Sequence, residues 1–139
     1  MDEGRLKHSY TVATKMVEIG RKKNLSDKQI EELFALGLNH DIGYEFGPGN
    51  VHGEVGAEIL KRSGYKFWQE VYYHGKADSE YESMYLDILN VADMSVDSKG
   101  NDVGVDKRLN DIKSRYGEES NVYQCCIKLV NKLKEKGEL

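Results

Sequence analysis

At 139 residues the chain is long enough to bury a core without disulfides or a structural metal, and one domain over residues 1–139 is expected. Charged residues make up 32% and hydrophobic ones 39%, an ordinary globular balance. The net charge of -4 argues against nucleic acid or an anionic membrane as partner, since both require a basic patch.

The first helix is expected from about Arg5 to Lys22. His8, Val12, Met16 and Ile19 recur at helical spacing, so the histidine shares an apolar stripe and should look inward. Leu6, Tyr10, Ala13 and Val17 form a neighbouring stripe. The second helix opens with Ser26 and Gln29 as a capping box, and Leu25 can staple onto Ile30. Its buried face is expected at Ile30, Leu33, Phe34, Gly37 and Leu38, with His40 and Asp41 continuing that face by one turn. Gly37 would let a neighbouring helix come close. Gly43, Gly47, Pro48 and Gly49 then break the helix and give a loop through Asn50.

A third helix is expected from about Val51 to Ser63, capped by Gly64, and a fourth from about Lys66 to Tyr73, which brings His74 into line with Phe67 and Val71. The fifth should run from near Glu80 to about Val96, with Asp93 on a face otherwise made of Leu86 and Leu89. Two more follow, at about Asp106 to Tyr116 and Glu119 to Lys136. Leu109, Ile112 and Tyr116 line one; Val122, Cys126, Leu129, Val130 and Leu133 line the other. Gly117 lies between them. No segment alternates at period two, so the fold class is all-α, a bundle of about six to seven helices. The motif-bearing core is placed at about 5–97 and a C-terminal helical hairpin at about 105–137. Adjacent Cys125 and Cys126 cannot make a disulfide framework and read as helix packing in a reduced, cytoplasmic setting. The N-terminus is no signal peptide, and no apolar run approaches the roughly 20 residues of a membrane span.

All four histidines fall on or at the end of a helix stripe. Singly, each would ordinarily be a satisfied core or surface group. A buried carboxylate such as Asp41 is costly unless it is paired or on a metal ion. Imidazole and carboxylate together suit divalent transition metals, and facing helices support such sites well. Asp41 beside His40 suits a carboxylate that gives one oxygen to each of two ions.

The pattern His8, His40-Asp41, Asp93 resembles the HD superfamily of metal-dependent phosphohydrolases. The surrounding NHDIG, VHGEVGAEIL, YYHG and DILNVADM stretches occur in that family's order. His52-Gly53, Gly56-Ala57-Glu58, His74 and Ala92-Asp93 resemble the branch that includes bacterial diadenosine tetraphosphate hydrolases of the YqeK type. The resemblance spans roughly Arg5 to Val96. It implies a helical fold that hydrolyses phosphate esters or anhydrides, commonly of nucleotides. It also implies His8, His40, Asp41 and Asp93 as primary metal ligands, with His52 and His74 as ligands of a second ion or, otherwise, as hydrogen-bond donors to substrate phosphate. Three residues after the Asp, YqeK-type proteins usually carry lysine and a nucleoside monophosphate branch carries glutamate; this chain has Tyr44.

The expected cofactors are one or two divalent transition metal ions, drawn from Fe, Mn, Co, Ni or Zn, with Mg as a further candidate. Asp41, Lys76 and Arg5 are the expected catalytic residues, and Arg5, Lys76 and His74 the expected substrate contacts. For Lys76 the competing reading is a solvated charge, and for Arg5 a structural ion pair. Glu54 and Asp78 are weighed as proton carriers against plain exposure. The aromatic group Phe67, Trp68, Tyr72 and Tyr73 is weighed as a base-stacking surface against core packing. The expected partner is a small phosphorylated molecule, a nucleotide first among them; assembly into a homodimer is left open. The competing function is a regulatory HD domain that keeps metal and a phosphorylated ligand without turnover.

Overall fold

The computed structural model describes residues 2–45 and 52–139. Its elements are helices α1 (Glu3–Lys22), α2 (Asp27–Asn39), α3 (His52–Arg62), α4 (Trp68–Tyr73), α5 (Met84–Asp93), α6 (Val105–Tyr116) and α7 (Asn121–Glu135), with a short 3-10 turn at Ile42–Glu45 after α2. The only pairing of extended backbone among the described residues is an isolated antiparallel bridge between Val96 and Asp102. The fold is all-α. No helix among the described residues is long and apolar enough to cross a membrane. The loop expected over residues 47–50 and the helix start expected at Val51 lie outside the described residues.

Local signals set the helix starts. The Ser26 hydroxyl accepts from Gln29 N–H while the Gln29 side chain accepts from Ser26 N–H, closing the expected capping box. Asp2, Ser83 and Ser120 cap α1, α5 and α7 with a side-chain oxygen that accepts from the backbone N–H three residues on. Gly64 and Gly117 take positive φ just past α3 and α6, as their helix ends require. Two boundaries differ from the sequence expectation for physical reasons. Helix α5 starts at Met84 rather than near Glu80, because Tyr81 and Ser83 both donate their hydroxyls to the buried Glu70 carboxylate and hold that approach extended. It ends at Asp93 rather than Val96, where the chain turns back and Ser95 O accepts from Val103 N–H.

Helix α5 is the spine. It is buried nearly all round, as expected for a central helix. Ile88, Leu89 and Ala92 join Val12, Met16, Leu33 and Leu36 in the main core, whereas Val91 and Met94 pack with Ile112, Leu129, Val130 and Leu133 of the C-terminal pair. The second stripe read on α1 is only half right. Ala13 is buried, but Leu6 and Tyr10 are more than half exposed. Leu38, expected inside, is exposed, and Leu36 takes its place in the core. Tyr116 and Val122 likewise point outward. The group Phe67, Trp68 and Tyr72 packs against the main core, and Tyr73 stacks on Tyr81.

Two glycines set the distances between helices that the site depends on. A Cβ at Gly37 would stand 2.4 Å from Ala13 Cα, so α1 and α2 touch backbone to backbone there. A Cβ at Gly43 would stand 1.7 Å from His52 O, so the turn after Asp41 lies directly on the start of α3. Together they bring His8, His40-Asp41 and His52 to one place.

Candidate metal centre

Four helix ends and one mid-face position converge. His8 comes from the first turns of α1, His40 and Asp41 follow the end of α2, His52 opens α3, His74 closes α4, and Asp93 closes α5. His8, His40, Asp41 and His74 are buried; His52 and Asp93 are partly open to a cleft.

The Asp41 carboxylate lies at the middle, with its two oxygens serving different partners. Oδ2 lies 3.3 Å from His40 Nε2 and 3.6 Å from His8 Nε2. Oδ1 lies 3.2 Å from His52 Nε2 and 3.6 Å from His74 Nε2. Asp93 closes the first side, with Oδ1 2.9 Å from His8 Nε2 and 3.4 Å from His40 Nε2. Three groups of ligand atoms therefore gather within 4.8 Å of one another: His8, His40 and Asp41; His40, His74 and Asp93; Asp41, His52 and His74. All six residues expected as ligands are brought together.

The imidazoles are oriented by the backbone. His8 Nδ1 donates to Asp97 O at 2.9 Å and His40 Nδ1 to Gly37 O at 2.7 Å, and His74 Nδ1 donates to Val71 O. Each ring is thereby fixed with its Nε2 lone pair turned inward, the tautomer a metal needs. The early end of α5 has its use here, since the turned-back chain delivers the Asp97 carbonyl to His8. His40 Nε2 is sealed from solvent between Asp41 and Asp93, neither of which is aligned for a good hydrogen bond with it. His52 Nε2 and His74 Nε2 face each other at 3.0 Å. A sealed ring nitrogen between two buried carboxylates is costly unless a cation sits among them, and a divalent ion would supply that charge. The donor set fits a divalent ion on each side of Asp41.

The electrostatics agree. Burial by itself lowers the proton affinity of His40, but the Asp41 and Asp93 charges outweigh it and hold its pKa well above the ordinary value. Burial pushes both carboxylates up, and the surrounding imidazoles more than reverse this, leaving Asp41 and Asp93 well below the usual carboxylate range. In metal-free protein a proton on His40 thus does the neutralising that a cation does when bound.

Above the centre opens a cleft of about 360 Å³. Arg5, Tyr44, Glu54 and Lys76 line the near side. The Arg5 guanidinium lies over the Tyr44 ring, its Cζ 3.4 Å from the centroid, and 3.8 Å from Asp41 Oδ2. The His52 ring also stacks on Tyr44, with centroids 4.2 Å apart and planes 17° apart. Tyr44, noticed in the sequence only as a departure, therefore links a cation to a candidate ligand. Lys76 is bound to Glu54 at 2.6 Å beside the cleft. Asp78 is exposed and does not line it, and neither does the group Phe67, Trp68, Tyr72 and Tyr73.

A family model for the HD domain matches residues 5–135. The chain belongs to the HD domain family. The match names no branch within it, and neither the curated proteins nor the solved structures give a match. It extends through α6 and α7, so the C-terminal pair lies within the matched HD domain rather than beside it. The far wall of the cleft comes from that pair and from the loop before it: Ser98, Arg108, Ile112, Arg115, Cys126 and Leu129. The sequence reading singled out none of these for function. The available signal was Arg108, a cation four residues before Ile112 on the stripe that faces inward.

Proposed function

We propose that this HD domain is a metal-dependent phosphohydrolase acting on a phosphate ester or anhydride of a small phosphorylated molecule, a nucleotide first among them. The observation that carries this reading is the two-sided Asp41 carboxylate at the floor of a cleft rimmed by Arg5, Lys76, Arg108 and Arg115. Family membership supports the same chemistry, and the YqeK-type resemblance points toward dinucleoside polyphosphates within it.

His8, His40, Asp41 and Asp93 would hold one divalent ion, and Asp41, His52 and His74 a second. Bound there, such ions supply Lewis acidity toward phosphoryl oxygens and water made nucleophilic near neutral pH. The protein's own groups do the remaining work. The backbone carbonyls of Gly37, Val71 and Asp97 hold three imidazoles in the ligating tautomer. Asp41 orients the attacking water from a position that burial and Gly43 packing make rigid. Arg5, held over Tyr44, and Lys76 face the cleft, where they neutralise charge gathering on phosphoryl oxygens. Glu54 beside Lys76 is placed to take or return a proton at the cleft mouth.

The test is phosphate release and product analysis on a panel of nucleoside mono-, di- and polyphosphates with metal-replete protein. Turnover is expected in the wild type and is abolished in His40→Ala and Asp41→Ala. Anhydride cleavage between two nucleosides yields two nucleotides, whereas a monoesterase releases inorganic phosphate. Metal-replete protein that is inert on the whole panel would make this a ligand-binding domain instead.

A further inference from the structure

The cations around the cleft are not equivalent. Arg5 is stacked on Tyr44 beside Asp41, and Lys76 is bound to Glu54. Arg115 lies 3.2 Å from Asp111 and donates to Ser98 Oγ at 3.0 Å. Arg108 is different. Its side chain is half-buried in the far wall, and its Nε is sealed from solvent with no acceptor. Among the described residues no carboxylate comes within ion-pair distance of its guanidinium. Asp97, whose charge Arg108 feels, accepts instead from the N–H groups of Lys99 and Asn101.

A guanidinium whose Nε is withdrawn from water without an acceptor, and which lines an open cleft, is better balanced when an anion enters beside it. Its planar fork matches two oxygens of a phosphate, which an ammonium does not do as well. Arg108 lines the cleft without pairing to either carboxylate of the His/Asp centre. Cys126 on α7 lines the same cleft as Arg108, His8, Asp41 and Asp93. A cleft of about 360 Å³ that spans both ends takes a small molecule with more than one anionic group.

We propose that Arg108 is the contact for a second phosphate of the substrate, so that the α6–α7 wall selects molecules carrying two linked phosphates over monophosphates. This rests on the phosphohydrolase reading only for the phosphate held at the His/Asp centre.

The test is calorimetric titration with inorganic pyrophosphate and with orthophosphate, on Mn-loaded and on metal-free protein. Wild type, Arg108→Gln, Arg108→Lys and Lys107→Gln are compared, Lys107 being an exposed cation on the same helix. Wild type and Lys107→Gln should prefer pyrophosphate. In Arg108→Gln that preference should fall about tenfold or more, the size of one lost charged hydrogen bond. Arg108→Lys should restore part of it. An unchanged ratio in a folded Arg108→Gln overturns the proposal, and so does equal weakening of both probes or no pyrophosphate binding to either form of the wild type. Failure to bind Mn, or no turnover on any nucleotide, counts instead against the phosphohydrolase reading, and the ratio on metal-free protein still reads Arg108.

Discussion

His40 Nε2 is sealed from solvent, with Asp41 on one side and Asp93 on the other at 3.3 and 3.4 Å. That arrangement ties stability to pH. A histidine whose folded pKa is raised stabilises the fold below its unfolded value and loses this as pH climbs through the folded value. Carboxylates held low, as Asp41 and Asp93 are, stabilise above their unfolded values and lose this as pH falls through the folded ones. Metal-free protein should therefore be most stable between about pH 4 and pH 6.5 and weaken on the alkaline side. A bound ion needs His40 unprotonated, so metal-loaded protein should be protected over that same alkaline range. Melting temperatures of chelated and loaded protein across pH measure both. Chelated protein that gains stability as pH rises above about 6.5 would contradict the assignment.

At the scale of the helices, the site is an outcome of close approach. Gly37 lets α1 and α2 meet at Ala13, which sets His8 opposite His40. Gly37→Ala places a methyl against backbone that cannot yield as a side chain tip would, and should cost about 1–3 kcal/mol. Urea denaturation measures this; an alanine variant within about 0.5 kcal/mol of wild type would show that the helices have slack. Much of this level was readable beforehand. Periodicity put His8, His40 and Asp93 on inward stripes, and Ser26 with Gln29 announced α2. The failures have a common physical cause: periodicity identifies an apolar stripe but not whether another helix covers it. Leu6, Tyr10 and Leu38 lie on stripes that nothing among the described residues covers fully. The late start of α5 depended on Glu70 gathering two hydroxyls from further along the chain, which no local pattern encodes.

Over the whole molecule, two packing units share α5, and the cleft lies where they meet. The larger unit supplies the imidazoles and carboxylates; the C-terminal pair supplies a wall with arginines and apolar side chains. Motif order made the first unit readable, because ligand chemistry restricts which residue types serve. The wall was not readable, because an arginine on a helix is usually a solvated charge and only its burial in place marks Arg108 as different. Despite a net charge of -4, the cleft presents cations around an acidic floor, which favours anions bound together with divalent metal.

Elemental analysis of the purified protein and its single-site variants reads the centre without reference to any substrate. Wild type should carry up to two divalent ions per chain, His52→Ala should keep the ion on the His8, His40 and Asp93 side, and Asp41→Ala should keep neither. Full metal occupancy in Asp41→Ala would mean that this carboxylate does not join the two sides, and the centre described here would be wrong.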